Sequence, residues 1–88
     1  MTAMRPESRT PTHPGEILLL EFLKPLGIRQ VDLAAHIGVS VQRINEVVRG
    51  KRGITSETSR LLAGALGTTP EFWTNLQSRH DLGRSSLG

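Results

Sequence analysis

Residues 30–47 constrain the fold of this chain more than any other stretch, because apolar, small and glycine positions recur there at the spacing of two crossing helices. Apolar side chains fall at Leu33, Ile37, Val39, Ile44 and Val47. Ala34 stands where a second helix must approach the first, and Gly38 where the chain must leave one helix and turn. Helices that cross steeply leave room for little more than a methyl at their contact. The tight turn needs positive φ, which glycine supplies cheaply. The pattern predicts a helix-turn-helix, with Ser40 as N-cap of its second helix and Val39 and Ile44 at the positions of a hydrophobic staple. The apolar set would hold that helix against the domain while its other face enters a major groove.

The flanks supply three more helices. The first begins at residues 13–14, where Pro14 suits an opening turn and Glu16 complements the helix dipole. It is expected to end by Lys24, because Pro25 cannot continue it and Gly27 permits a sharp turn. The helix-turn-helix closes at Gly50. A fourth helix starts behind Thr55, with Glu57 in its first turn, and runs through Leu61, Leu62 and Leu66 to Gly67. A fifth opens with Thr69, Pro70 and Glu71 and carries Phe72, Trp73 and Leu76 to about His80. Trp73 is expected to be chiefly structural, packing the fifth helix against the first. No stretch alternates as a strand does, so the expected fold is all-α with five short helices.

These helices occupy residues 13–82. A polar, flexible arm is expected over residues 1–12 and a frayed Ser/Gly-rich tail over residues 83–88. With 88 residues this is one domain, whose core is marginal without good packing or a partner subunit. There is no cysteine, and His13, His36 and His80 show no ligand spacing, so neither a metal nor another cofactor is expected. No nucleophile–base pair or phosphate loop appears, which argues against an enzyme. The longest apolar run, residues 17–20, is far too short to span a bilayer. The N-terminus lacks the apolar core of a secretion signal, so the expected location is the cytoplasm, in association with the nucleoid.

The net charge is only +3, but its distribution is informative. Arg43, Arg49, Lys51 and Arg52 follow the turn closely, opposed there only by Glu46. Such a run also suits a solvated helix end. Placed directly after a candidate recognition helix, it fits a footprint for phosphates better. On the first helix, Leu18, Leu19, Phe22, Leu23 and loosely Leu26 make one broad apolar stripe, leaving Ile17 and Leu20 off it. Either the arm or a dimer mate covers those two, or they form a docking surface for a different protein.

The string His13-Pro14-Gly15-Glu16-Ile17-Leu18, then Pro25-Leu26-Gly27, the helix-turn-helix, Gly50-Lys51, and residues 67–73 followed by Leu76-Gln77 resemble HigA-type antitoxins. These are helix-turn-helix proteins of the Xre class, with a lambda-repressor-like fold. The resemblance covers roughly residues 13–82. It implies a homodimer that binds double-stranded operator DNA and represses its own operon. It also implies a HigB-like toxin partner, a RelE-like, ribosome-dependent mRNA endonuclease. The family pattern puts Gln30 at the N-terminus of the leading helix, where its amide can meet a phosphate. It puts Ser40, Val41, Gln42, Arg43, Asn45 and Glu46 on the exposed part of the following one.

Chemistry gives these side chains different roles. Gln42 can pair bidentately with adenine, and Arg43 with guanine or a phosphate. Val41 suits a thymine methyl, and Asn45 suits a base or backbone contact. Arg49, Lys51 and Arg52 would set register on phosphates. Glu46 is open to two readings: accepting from cytosine, or pairing with Arg43 or Arg49. Two departures from the family stand out. Arg29 replaces the usual Ser or Thr cap and cannot accept the capping bond, a loss of about 1 kcal/mol. Leu19 and Leu20 replace charged residues. Ile17 and Leu20 are then the expected toxin contacts. A stand-alone Xre repressor without a toxin is the alternative, and a protein-binding module that has lost DNA binding is a third reading, opposed by the basic cluster.

Overall fold

The computed structural model describes residues 12–87, with side chains through Gly83. The expected arm therefore lies, Thr12 apart, outside the described residues. Five helices and no strand make up the described chain. Helix α1 comprises three continuous stretches: an α-turn Pro14–Ile17, a π-helical segment Leu18–Leu23 and a last turn Lys24–Leu26. Helices α2 (Gln30–Ile37), α3 (Val41–Val48), α4 (Ser56–Leu66) and α5 (Pro70–Leu87) follow.

The end expected for α1 at Lys24 is wrong: the helix runs through Pro25 and stops at Gly27, whose φ is 67°. In an α-helix Pro25 would have no N–H to donate, and its ring would press on the carbonyl of Glu21. The chain instead widens before the proline, with the Lys24 N–H donating to the Leu19 carbonyl, five residues back. The wider turn relieves the crowding. Helix α5 likewise runs beyond the expected His80, its backbone helical to Leu87.

The other boundaries follow local capping chemistry. Thr55 Oγ1 accepts from the Thr58 N–H at 3.2 Å to open α4, and Thr69 Oγ1 accepts from the Phe72 N–H at 3.2 Å to open α5. Arg29 makes no side-chain cap at α2; its guanidinium instead grips Asp32 at 2.9 and 3.1 Å.

The core gathers one stripe from every helix: Leu18 and Leu23 of α1, Leu33 and Ala34 of α2, Ile44 and Val47 of α3, Leu62 of α4 and Trp73 of α5, with Ile54 from the intervening loop. Trp73 is fully buried, and its Nε1–H donates to Thr68 Oγ1 at 2.7 Å. The Trp73 ring lies 5.4 Å from that of Phe22, which packs α5 against α1 as the sequence leads one to expect. Of the α1 stripe, Leu19 and Phe22 are half-buried, and Leu26 is 60% exposed. Ile17 packs on the edge of the core, whereas Leu20 is 44% exposed.

Candidate nucleic-acid interface

Helix α3 is presented by the turn before it. Gly38 adopts φ 78°, and its N–H and that of Val39 both return to the Ala34 carbonyl, at 2.9 and 3.0 Å. These bonds close α2 and aim the chain outward. Ser40 then caps α3, its Oγ accepting from the Arg43 N–H at 3.1 Å. With Ile44 and Val47 buried beneath it, α3 turns Val41 and Gln42 to solvent and holds Arg43, Asn45 and Glu46 half-buried at the margins. Asn45 Nδ2 donates to Gln30 Oε1 at 3.3 Å, which joins the start of α2 to the middle of α3.

Glu46 is occupied from two sides. Arg52 Nε donates to one carboxylate oxygen at 2.8 Å, and Gln42 Nε2 to the other at 3.4 Å. Neither ion-pair partner considered from the sequence, Arg43 or Arg49, is the one found. The loop after α3 folds back far enough to bring Arg52 there instead. The Arg52 hydrogen bond is the main reason the Glu46 carboxyl is held below the usual range, with smaller contributions from Gln42 and the nearby Arg43 charge.

Arg49, Lys51 and Arg52 are exposed on the segment that leaves α3. Arg43, Arg52 and Gly53 line a cleft of about 490 Å³ together with the start of α4, Thr55 to Thr58 and Arg60, Glu57 included. Arg43 and Arg60 make this cleft electropositive, while Arg52 is paired with Glu46 and Glu57 adds a carboxylate to the lining. Leu20 and Ile17 lie on α1, apart from these groups in the sequence of elements. Among the described residues no cluster of His, Asp and Glu could hold a metal, and no helix is long and apolar enough to cross a membrane.

Three supports escaped the sequence reading. Gly15 packs directly on the Val47 carbonyl, with no room for a Cβ. His13 Nδ1 accepts from the Gly15 N–H at 2.9 Å, while its ring stands beside Gly50 and edge-on to His80, centroids 4.8 Å apart. Gln77 reaches from α5 to the loop, accepting from the Ile54 N–H at 2.8 Å. A glycine inside a first helical turn carries a propensity cost and was a signal for the first. Gln77 stands in the Leu76-Gln77 string that carries the resemblance, but nothing there gives its contact.

The fold and the outward face of α3 define a helix-turn-helix protein, and the Helix-turn-helix family model matches residues 19–73. Virulence-associated protein I of Dichelobacter nodosus is 47% identical over 70 residues, 80% of this chain and 65% of that protein. Antitoxin HigA-1 of Vibrio cholerae serotype O1 is 42% identical over 79 residues, 90% of this chain and 74% of that one. A solved structure of Pseudomonas aeruginosa antitoxin HigA with the higBA promoter superposes with a TM-score of 0.85 at 39% identity, covering 88% of this chain and 84% of that chain. The chain belongs to the HigA-type antitoxins of the helix-turn-helix family.

Proposed function

We propose that this chain binds operator DNA as a homodimer, represses its own operon and neutralises a HigB-like mRNA endonuclease toxin. The division of α3 carries the DNA reading: Ile44 and Val47 are buried, and the opposite face offers Val41 and Gln42 to solvent with Arg43 and Asn45 beside them. A related antitoxin of the same fold is described with its promoter, which supports the same use here.

In this reading Gln42 and Arg43 read base edges, Val41 meets a thymine methyl and Asn45 flanks them. Gln30, Arg49, Lys51 and Arg52 bind phosphates, and Ser40 fixes the start of the reading helix. Glu46 organises Gln42 and Arg52 rather than accepting from cytosine. One such helix reads a short half-site, so two copies related by a two-fold axis address half-sites roughly 34 Å apart. Sedimentation of protein with operator should give a dimer; monomer alone at micromolar concentration contradicts it.

Anisotropy titrations with the DNA upstream of its own reading frame test the residue roles. Gln42→Ala and Arg43→Ala should each weaken operator binding by about 1–3 kcal/mol and random DNA much less, whereas Lys51→Ala weakens both alike. Equal losses on both DNAs for all three variants overturn the assignment.

The toxin reading rests on the exposed apolar side chain of Leu20, next to the half-buried Ile17 on α1. Autorepression by the complex requires toxin and operator to be held together, so the two surfaces are separate. Leu20→Glu should abolish rescue from the co-expressed toxin yet leave operator affinity within about twofold, roughly 0.4 kcal/mol. Survival of rescue in that variant moves the toxin elsewhere.

A further inference from the structure

We infer that Gln77 is a positioning residue for DNA binding: from α5 it pins the loop that carries Lys51 and Arg52. This rests on the DNA-binding reading above and extends it to a helix that reads no base. The loop between α3 and α4 has no ladder or helix of its own to hold it. Its start is tied back to α3, the Gly50 N–H to the Val47 carbonyl at 3.0 Å and the Lys51 N–H to the Glu46 carbonyl at 2.8 Å. Its far end is tied by Ile54, whose side chain is buried in the core and whose N–H donates to Gln77 Oε1 at 2.8 Å. Lys51 and the backbone of Arg52 are suspended between those two anchors, the Arg52 side chain being held to Glu46.

Two further observations make the contact specific. A Cβ on Gly53 would stand 3.2 Å from the Gln77 amide, so the loop backbone lies flat against that group. Gln77 Nε2 also donates to Asp81 Oδ1 at 3.0 Å, one helical turn on. The two ends of a glutamine amide are alike in shape and opposite in chemistry. An ionised Asp81 only accepts, and the Ile54 N–H only donates, so a single orientation of the amide satisfies both. Asp81 therefore aims Gln77, and Gln77 aims the loop. Without the pin, DNA must order the loop backbone that bears Lys51 and Arg52 as it binds, at a cost in affinity shared by every sequence because phosphates are common to all.

The polarity of this relay can be inverted. In Gln77→Glu the pose that accepts from Ile54 also faces Asp81 charge to charge, and that repulsion pushes the carboxylate off the Ile54 N–H. Adding Asp81→Asn supplies an amide donor to the second glutamate oxygen and restores the net charge. Amide exchange of Ile54 by NMR reports the pin without DNA, and anisotropy on operator and random DNA reports its consequence. Gln77→Leu should speed Ile54 exchange by about tenfold or more relative to the rest of the core. It should weaken operator and random DNA alike by about fivefold with the salt slope kept, because the same phosphates are met once the loop is ordered. Gln77→Glu should do the same, and Gln77→Glu with Asp81→Asn should return both readouts to within about twofold of the parent.

If Gln77→Leu does not fold, the Gln77→Glu single and double variants carry the test unaided. Unchanged Ile54 exchange in the single variants, or a double variant no better than Gln77→Glu, overturns the relay. Faster Ile54 exchange with undiminished DNA affinity overturns the positioning role. A parent protein that binds no DNA instead removes the reading beneath it, with the exchange result still standing.

Discussion

The two ends of α3 are held by opposite means. At its N-terminal end the turn and the cap are local: Gly38 turns the chain and Ser40 caps the Arg43 N–H, with Val39 packed on the core that Ile44 enters. At its C-terminal end the Gly50 and Lys51 N–H groups bond back to Val47 and Glu46, but further supports come from far along the chain. Gly15 of α1 lies against the Val47 carbonyl, His13 stands beside Gly50, and Gln77 of α5 holds Ile54. The end that sets the reading angle is written into its own few residues, and the end that bears Arg49, Lys51 and Arg52 depends on the whole domain. In the proposed DNA-binding role, damage at a distance should therefore reach phosphate binding before it reaches base reading.

The largest test of that asymmetry is Trp73→Ala. Trp73 sits one turn before Gln77 and seats α5 through its fully buried ring and its bond to Thr68. Truncation should cost about 3–5 kcal/mol in denaturant unfolding. In native-state exchange, the loop after α3 should open ahead of the Ser40 end. A loss below about 1 kcal/mol would mean the ring is not a core anchor, and the C-terminal end has some other support.

Gly15→Ala comes next. The new methyl would collide with the Val47 carbonyl, backbone against backbone, so one helix must shift. Overpacking of this kind costs about 1–3 kcal/mol. The shift should appear as chemical-shift changes from Val47 to Gly50 and leave the Gly38 turn untouched. Changes spread evenly along α3 would erase the distinction between its ends.

This asymmetry also explains what the sequence reveals. The helix-turn-helix, the caps at Ser40, Thr55 and Thr69, and the buried role of Trp73 all follow from neighbours in sequence or from apolar spacing. The outward face of α3 follows as well, since fixing Ile44 and Val47 inward fixes the rest by helical geometry. What failed was non-local or backbone-level. Pro25 reads as a stop, yet a π-helical turn absorbs it within α1. The sequence offers Glu46 the partners Arg43 and Arg49, and the fold supplies Arg52. Gln77 looks in sequence like any polar helical residue, because its partner is 23 residues away.

Ser40→Ala probes the locally held end. Losing the cap should cost about 1 kcal/mol, and exchange should quicken at the Arg43 amide. The Ile54 amide should keep its protection relative to the global value. Loss of protection at Ile54 of the same size as at Arg43 would show that α3 opens as a unit, and the comparison would collapse.

The smallest effect expected is on acidification. Hydrogen bonding from Arg52 holds the Glu46 carboxyl below the usual carboxylate range, and hydrogen bonding from Arg29 does the same for Asp32. A carboxyl whose folded pKa is lowered stabilises the fold above its unfolded pKa, about 4, and loses that contribution as pH falls through the folded value. Both pairs are therefore intact near neutrality, and their contribution fades only in more acid solution. Both also face solvent, so salt should weaken them. In an NMR titration the Arg52 Nε–H resonance should move with the Glu46 carboxyl, and the Arg29 Nε–H resonance with Asp32. The Arg43 amide, bonded to the uncharged Ser40 hydroxyl, should keep its exchange protection through the same range while the fold persists. An Arg43 amide that lost protection in step with Glu46 would place the N-terminal end of α3 under the control of the loop beyond its other end.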